Sequence, residues 1–223
     1  MPKGDRLFSV VSRYDDILAD VLRRPGYKAG DTLRLILPFL KAYNVTDQKI
    51  QEFSARTLSL IPNSRETIKY VEQMAAAFIV STSYEHYIKV LCKALDFPFE
   101  NTYCTRMSLD KYTLLQTEKK QLKKIAQDVA RMPTFDIPSG AKSLVDLPVS
   151  AQETVERLDK TFWKEMSEMD ITKVFSEVSP IGGMEKAEAV KRIVHNLRLD
   201  LDDVIYVGDS ITDVDAFRLV RDG

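Results

Sequence analysis

Cysteine is scarce in this chain: Cys92 and Cys104 are the only two in 223 residues, and they lack metal-ligand spacing. That argues against a thiolate metal centre or a disulfide framework and points to free thiols in a reducing cytoplasm. Histidine is equally rare. His86 and His195 each fall in a helical pattern with no partner at ligand spacing, which leaves no imidazole metal site. No apolar run approaches the ~20 residues that span a bilayer. The opening Met1-Pro2-Lys3-Gly4-Asp5-Arg6 lacks the apolar centre of an export signal. A charge excess is missing as well: 32 basic against 33 acidic side chains leave a net −1 and no electrostatic footprint for nucleic acid. Ordinary globular composition is what remains, 44% hydrophobic and 29% charged, enough for a sizeable core. The reading is a cytoplasmic protein with no nucleic-acid partner and no membrane span.

Helical texture dominates the first part of the chain. Across residues 5–24, Leu7, Val10, Val11, Tyr14, Ile17, Leu18, Val21 and Leu22 recur at helical spacing, until Arg24-Pro25-Gly26 stops the pattern. Asp31 reads as the N-cap of a second helix reaching about Tyr43, with Pro38 expected to kink or shorten it. Thr46 or Asp47 opens a third. After residue 60 the pattern changes. Asn63 or Ser64 caps a helix through Met74, and residues 75–80 form a short apolar run read as a strand buried on both faces. Ser81-Thr82-Ser83 ends that run, a helix follows from about Tyr84 to Leu95, and residues 102–105 read as a second short strand. This alternation belongs to an open α/β sheet.

Residues 108–172 return to helices. The run Glu118-Lys119-Lys120-Gln121-Leu122-Lys123-Lys124 reads as a solvated helix face, and Trp163 as a packing residue. Gly182-Gly183 precede a helix from Glu185 to Leu197, then a strand over 204–207 and a helix near Asp213. The expected organisation is a helical cap region at 1–60, an α/β core from 61–107 and 174–223, and a mainly helical insertion at 108–173.

Three pieces of that core carry chemistry. In Val204-Ile205-Tyr206-Val207-Gly208-Asp209-Ser210-Ile211-Thr212-Asp213 an apolar run breaks at glycine and delivers two carboxylates four residues apart. Ligands of open α/β sheets sit beyond strand carboxyl ends, and a carboxylate there suits Mg²⁺. Asp209 is the better ligand; Asp213, on the first helical turn, can accept backbone N–H bonds and orient the site. In Phe78-Ile79-Val80-Ser81-Thr82-Ser83-Tyr84 a hydroxyl at a strand end meets a helix N-terminus, an arrangement that holds phosphate or simply caps the helix. Lys186, early in the helix after Ile181-Gly182-Gly183-Met184-Glu185, can reach a phosphate or stand in solvent.

In this order and spacing the three pieces resemble the motifs of the haloacid dehalogenase (HAD) superfamily, whose members are mostly phosphatases. Ser81 looks like the second-motif hydroxyl, Lys186 like the third-motif lysine, and Asp209 and Asp213 like the acidic fourth motif. The resemblance covers residues 61–106 and 174–220; the stretch from Ile61 to Leu95 is similar to phosphoserine-phosphatase-like members. It implies a Rossmann-like parallel sheet with helical cap insertions, Mg²⁺ as cofactor and a small phosphorylated substrate or phosphate as ligand. It further implies Ser81, Lys186 and Asp213 in catalysis, Ser81, Thr82 and Lys186 on phosphate, and Asp209 and Asp213 on metal. A narrower similarity, to archaeal HAD-like proteins called energy-converting hydrogenase A subunit R, is carried by Ser12-Arg13-Tyr14-Asp15-Asp16-Ile17-Leu18-Ala19-Asp20 and Arg24-Pro25-Gly26-Tyr27-Lys28.

One family element has no counterpart. The superfamily opens with a strand ending in D-x-D, the nucleophile and the acid/base. No such motif precedes Ser81. Asp15-Asp16 is an adjacent pair in a helical pattern, and Asp200-Leu201-Asp202 has the spelling but belongs to a turn. The resemblance places the absent strand between those ending at Ser81 and Gly208, so its loss leaves backbone groups unpaired at ~1–3 kcal/mol each. The chain also stops before a last strand expected after Asp213. The expectation is a fragment or mis-started chain, or a rearranged domain, with an incomplete sheet and negligible turnover; strand exchange with a second copy could also supply the pairing, and a homo-oligomer or a complex partner is the expected company. The alternative is a non-catalytic, hydrogenase-associated accessory subunit.

Overall fold

The computed structural model describes residues 4–222; Met1 to Lys3, part of the stretch inspected for an export signal, and Gly223 lie outside the described residues. The elements in chain order are α1 (Gly4–Asp16), α2 (Thr32–Ala42), α3 (Asp47–Thr57), α4 (Ser64–Met74), β1 (Ile79–Tyr84), α5 (Glu85–Leu95), β2 (Thr102–Thr105), α6 (Gln116–Val129), α7 (Val149–Lys160), α8 (Val174–Glu177), α9 (Met184–Leu197) and α10 (Val214–Asp222), linked by short 3-10 and π-helical turns. This is a mostly helical α/β chain with a small parallel sheet. Among the described residues no helix is long and apolar enough to cross a membrane. The chain divides into two compact units, Met1–Val45 with Ser108–Ser179, and Thr46–Met107 with Pro180–Gly223. The sequence boundaries stood at 60, 107 and 173; the contacts of the chain instead group α3 with the sheet.

Among the described residues the first unit holds helices and turns and no strand. The apolar stripe of α1 is buried from Leu7 to Tyr14 and continues through a π-helical turn at Ile17–Val21. Phe162 is the centre of the core: its ring stacks on Tyr14 (centroids 5.7 Å) and meets Phe39 and Phe175 edge-on at 6.0 and 6.2 Å. Pro38 does not end α2, which runs on to Ala42. A mid-helix proline costs about 3 kcal/mol; burial of Leu35, Leu37 and Phe39 around it offsets that. Trp163 packs as expected, donating its indole N–H to the Tyr14 hydroxyl at 2.8 Å.

A polar knot lies beside this core. Asp15 accepts from the Thr32 hydroxyl at 2.7 Å and the Gly30 N–H at 3.1 Å. Asp31, fully buried, accepts from the Lys28 N–H at 3.3 Å and pairs with Arg34. Burial raises all of these carboxyls; Asp31 is pushed up to about 6 against the opposing pull of Arg34, and Asp16 also to about 6, with the neighbouring Asp15 charge adding to burial. A carboxyl raised above its unfolded value of about 3.9 makes the folded state hold extra protons between the two values, so stability falls as pH climbs from about 4 through about 6.

The second unit holds the sheet. β1 and β2 pair in parallel, with Ile79 opposite Thr102, Val80 opposite Tyr103 and Ser81 opposite Cys104; the register then slips, and Tyr84 meets Thr105. The core beneath is Ile88, Cys92, Leu95, Phe97 and Cys104, with Ile68, Ile79 and Phe99 packed against it. Both cysteines are free and buried.

Two strand expectations need correction. The first strand begins at Ile79, not Ala75, and contains the Ser81-Thr82-Ser83 run instead of ending before it. Ala75 and Ala76 are exposed, because alanine has little side chain to bury and the strand starts where bulkier residues do. Val204 is extended (φ −101°, ψ 130°), but residues 204–207 belong to no helix or sheet, and the described residues contain a sheet of two strands only. Tyr206 turns inward onto Phe217, with ring centroids 5.2 Å apart, while Ile205 and Val207 turn outward, 92% and 86% exposed. A strand exists only with a neighbour, and none is offered to this segment.

In urea unfolding between pH 4 and pH 7, followed by Trp163 fluorescence, the first unit should lose stability as pH rises through about 6; Asp31→Asn should flatten that decline by on the order of 2 kcal/mol. A wild-type profile that rises over this range would contradict the buried-carboxyl account.

Candidate functional site

All three motif pieces lie in the second unit, and named hydrogen bonds join them. Ser81 sits half-buried within β1 and does not cap α5. Its hydroxyl accepts from the Ser83 N–H at 3.2 Å and so holds the turn at the register slip. Thr105, fully buried at the end of β2, links this piece to the next. Its hydroxyl donates to the Thr82 carbonyl at 2.6 Å and accepts from the Ile181 N–H at 3.1 Å. Gly183, at φ +53°, donates its N–H to the Thr212 carbonyl at 3.0 Å, tying the start of α9 to the acidic turn.

Lys186 closes the arrangement. It is 6% exposed, not a solvated surface lysine, and its ammonium lies 2.7 Å from Asp213 Oδ1. The same oxygen accepts from the Tyr206 hydroxyl at 2.6 Å; Oδ2 accepts from the Ser210 N–H at 3.1 Å and its hydroxyl at 3.0 Å. Burial would raise this carboxyl, but donation from Lys186, Tyr206 and Ser210 outweighs it and holds Asp213 down at about 2. Its contribution to stability is therefore present above about pH 4 and lost only as pH falls through about 2. The same carboxylate, together with burial, pushes the Tyr206 hydroxyl up.

Gly208 is required for space. A Cβ built there would lie 2.5 Å from the Asp213 Cγ, so the backbone passes directly over that side chain. Asp209, the next residue, is exposed and forms no ion pair among the described residues. The two carboxylates expected on metal therefore differ in state: Asp209 is available, and Asp213 already receives four donors.

Among the described residues no three His, Cys, Asp or Glu side chains gather as a metal cage. Mg²⁺ does not need one, since it keeps several waters and binds through one or two carboxylates plus substrate phosphate. The unpaired Asp209 fits such a site, with Asp213 fixing the turn behind it. Ser81, Thr82 and Lys186, the residues expected on phosphate, all lie in this second unit.

Tyr206, Ser210 and Thr105 were not singled out from the sequence. Ser210 to Asp213 is a capping-box spacing, which signals that pair. Alternation along 204–207 places Tyr206 opposite in direction to Ile205 and Val207. Thr105 had no signal, because its two partners are distant in sequence. A cleft of about 1180 Å³ opens in the first unit beside Arg24, Lys124, Arg157 and Trp163, and none of the expected site residues lines it.

The acidic turn, the buried lysine and the strand-borne serine are thus hydrogen-bonded into one framework within a small parallel α/β unit. The family model described as haloacid dehalogenase-like hydrolase matches residues 34–223, and the chain belongs to that family. A solved structure, gene product AF1437 from Archaeoglobus fulgidus, is similar in fold, with a TM-score of 0.79 at 24% identity over 97% of this chain. The chain spans 62% of the length of that protein. No curated protein sequence matches it.

Removing Lys186 as Lys186→Met should destabilise the second unit by about 3–5 kcal/mol, because Asp213 is left charged, buried and unpaired. The double variant Lys186→Met/Asp213→Asn should recover more than half of that loss in chemical denaturation; additive losses would refute the coupling. Gly208→Ala should cost about 1–3 kcal/mol by displacing Asp213, read as a lowered Tm, and a neutral result would contradict the close approach.

Proposed function

We propose that the second unit carries the phosphate- and Mg²⁺-binding portion of a phosphatase-type site for a small phosphorylated metabolite, and that this chain by itself turns over no substrate. The observation that supports the reading is the buried Lys186–Asp213 pair on the acidic turn that also carries Asp209, exposed and without an ion pair among the described residues. The pair is itself neutral and fixes the turn, so the charge left to draw a cation is that of Asp209. On this reading Ser81 and Thr82 donate hydroxyl hydrogens to phosphate oxygens, and the Lys186 ammonium, which has N–H groups beyond the one given to Asp213, is the charged donor. Asp209 is the direct metal ligand, and Asp213 acts through the positions of Lys186 and the turn. When bound, Mg²⁺ would offset phosphate charge. Without a D-x-D acid the nucleophile of the family's reaction is not encoded among these residues, and Asp200-Leu201-Asp202 is occupied in a 3-10 turn, its Asp200 N–H bonded to Asp203. A cytoplasmic setting suits the two free buried thiols.

A second reading is a non-catalytic accessory subunit, hydrogenase-associated by its narrower similarity; the bare, outward-facing Ile205 and Val207 favour an assembly role. Homo-oligomer formation is the other way to cover them.

Inorganic phosphate titrated in the presence of Mg²⁺ by calorimetry should bind, and Ser81→Ala and Asp209→Ala should each weaken binding about tenfold, the loss of one charge-assisted contact. Aryl phosphate should give no phosphate above background. Turnover that vanishes in Asp209→Ala yet survives in Ser81→Ala would overturn the assignment of roles, and any robust turnover would overturn the inactivity.

A further inference from the structure

The polar knot of the first unit holds more hydrogen-bonding atoms than its own bonds satisfy. Asp15 and Asp31 each collect their donors on one carboxylate oxygen. Asp15 Oδ2 accepts from the Thr32 hydroxyl and the Gly30 N–H, and Asp31 Oδ2 accepts from the Lys28 N–H and from Arg34 Nη2. The other oxygen of each, Oδ1, is buried and meets no donor among the described residues. The Tyr27 hydroxyl and Arg34 Nε are likewise buried without a hydrogen-bond partner.

These four atoms belong to side chains that face one another. The Arg34 guanidinium lies over the Tyr27 ring, 5.6 Å from its centroid, and pairs with Asp31. Burial raises both the Tyr27 hydroxyl and the Asp31 carboxyl, and the nearby Asp15 charge adds to each. Asp15 is 4% exposed and Asp31 0%, so bulk solvent does not reach either carboxylate. A buried polar atom left without a hydrogen bond bears its full desolvation cost, and native proteins tolerate few of them. Four in one knot call for a polar occupant.

Its chemistry follows from sorting the four atoms. Two are carboxylate oxygens, which only accept; Arg34 Nε–H only donates; the phenol beside two carboxylates acts as a donor. The occupant therefore donates twice and accepts twice. A metal ion would leave Arg34 Nε–H unmet and set a second positive charge beside the guanidinium. A proton shared by Asp15 and Asp31 would serve their oxygens and leave Tyr27 and Arg34 unserved. Water has two hydrogens to give and two lone pairs.

We propose that one internal water molecule binds at the centre of this knot, donating to Asp15 Oδ1 and Asp31 Oδ1 and accepting from the Tyr27 hydroxyl and Arg34 Nε–H. Buried waters make about three hydrogen bonds, so a water with four is tightly held. It joins α1 through Asp15, the α1–α2 connection through Tyr27 and Asp31, and α2 through Arg34, which makes it a part of the first unit's fold.

A crystal structure of the full chain should show a single density peak about 2.7–3.2 Å from all four atoms. In solution, oxygen-17 relaxation dispersion, which counts long-lived waters, should fall by the amplitude of one water in Asp15→Leu. Tyr27→Phe, which keeps the ring under Arg34 and removes one donor, should shorten the residence time of that water at least tenfold. Contacts of about 2.0–2.6 Å to the two carboxylates would make the occupant a metal and overturn the proposal. Direct contact between the Asp15 and Asp31 carboxyls, no density at the knot, or a dispersion amplitude unchanged in a folded Asp15→Leu would overturn it as well. Should Asp15→Leu not fold, the density in the wild-type chain decides.

Discussion

The second unit depends on one buried ion pair. Lys186 and Asp213 come from different helical segments, 27 residues apart in the chain, and each would be costly to bury alone. Together they are tolerable because the remaining acceptor capacity of Asp213 is filled by Tyr206 and Ser210. The consequences run outward. Gly208 must lack a side chain so that the backbone can pass Asp213, Ser210 is held in a capping turn, and α10 starts from that turn. Thr105 and Gly183 then connect this assembly to β1 and β2 through one short hydrogen bond and two longer ones. Geometry at Ser81 is thus tied to geometry at Asp209 through main-chain and hydroxyl groups, not through a continuous sheet.

That difference explains which parts of the fold could be read from the sequence. Helices are local objects, and α4, α5 and α9 fall within a residue of where caps and apolar spacing placed them. β2 was legible as well, since its partner is present. The segment at 204–207 has the composition of a strand, yet the ladder that would make it one is a property of another segment. Composition also misled at residues 75–77, where alanine reads as apolar but contributes too little area to hold a strand. The site divided in the same way. Ser81, Lys186, Asp209 and Asp213 were visible as residue types at motif spacing, whereas Thr105 acts only through contacts that no local pattern encodes.

The first unit shows the reverse balance of burial and charge. Its carboxylates at Asp15 and Asp31 are as deeply buried as Asp213, but their donors are fewer relative to the burial, and their protonation is raised where that of Asp213 is lowered. Arg34 and Lys28 together do not outweigh burial at Asp31, whereas lysine, tyrosine and a capping serine acting together do so at Asp213. The residues that carry the narrower sequence similarity, from Ser12 to Lys28, surround this knot. Their pattern reports the packing of a helical unit and says little about chemistry.

Asp209 and Asp213 are the same residue type four positions apart on one turn, and their environments give them opposite properties. Asp213 has exhausted its lone pairs on four donors; a metal could take it only by displacing one of them, and displacing Lys186 would leave an ammonium buried without its partner. Asp209 has solvent on its side and no ion-pair partner, so a cation approaching it displaces only water. On the proposed reading a hard divalent ion would meet one direct carboxylate, and the second carboxylate would govern where that first one stands. The contrast between the two aspartates of the acidic turn, one exposed and one saturated with donors, is set by burial and not by sequence.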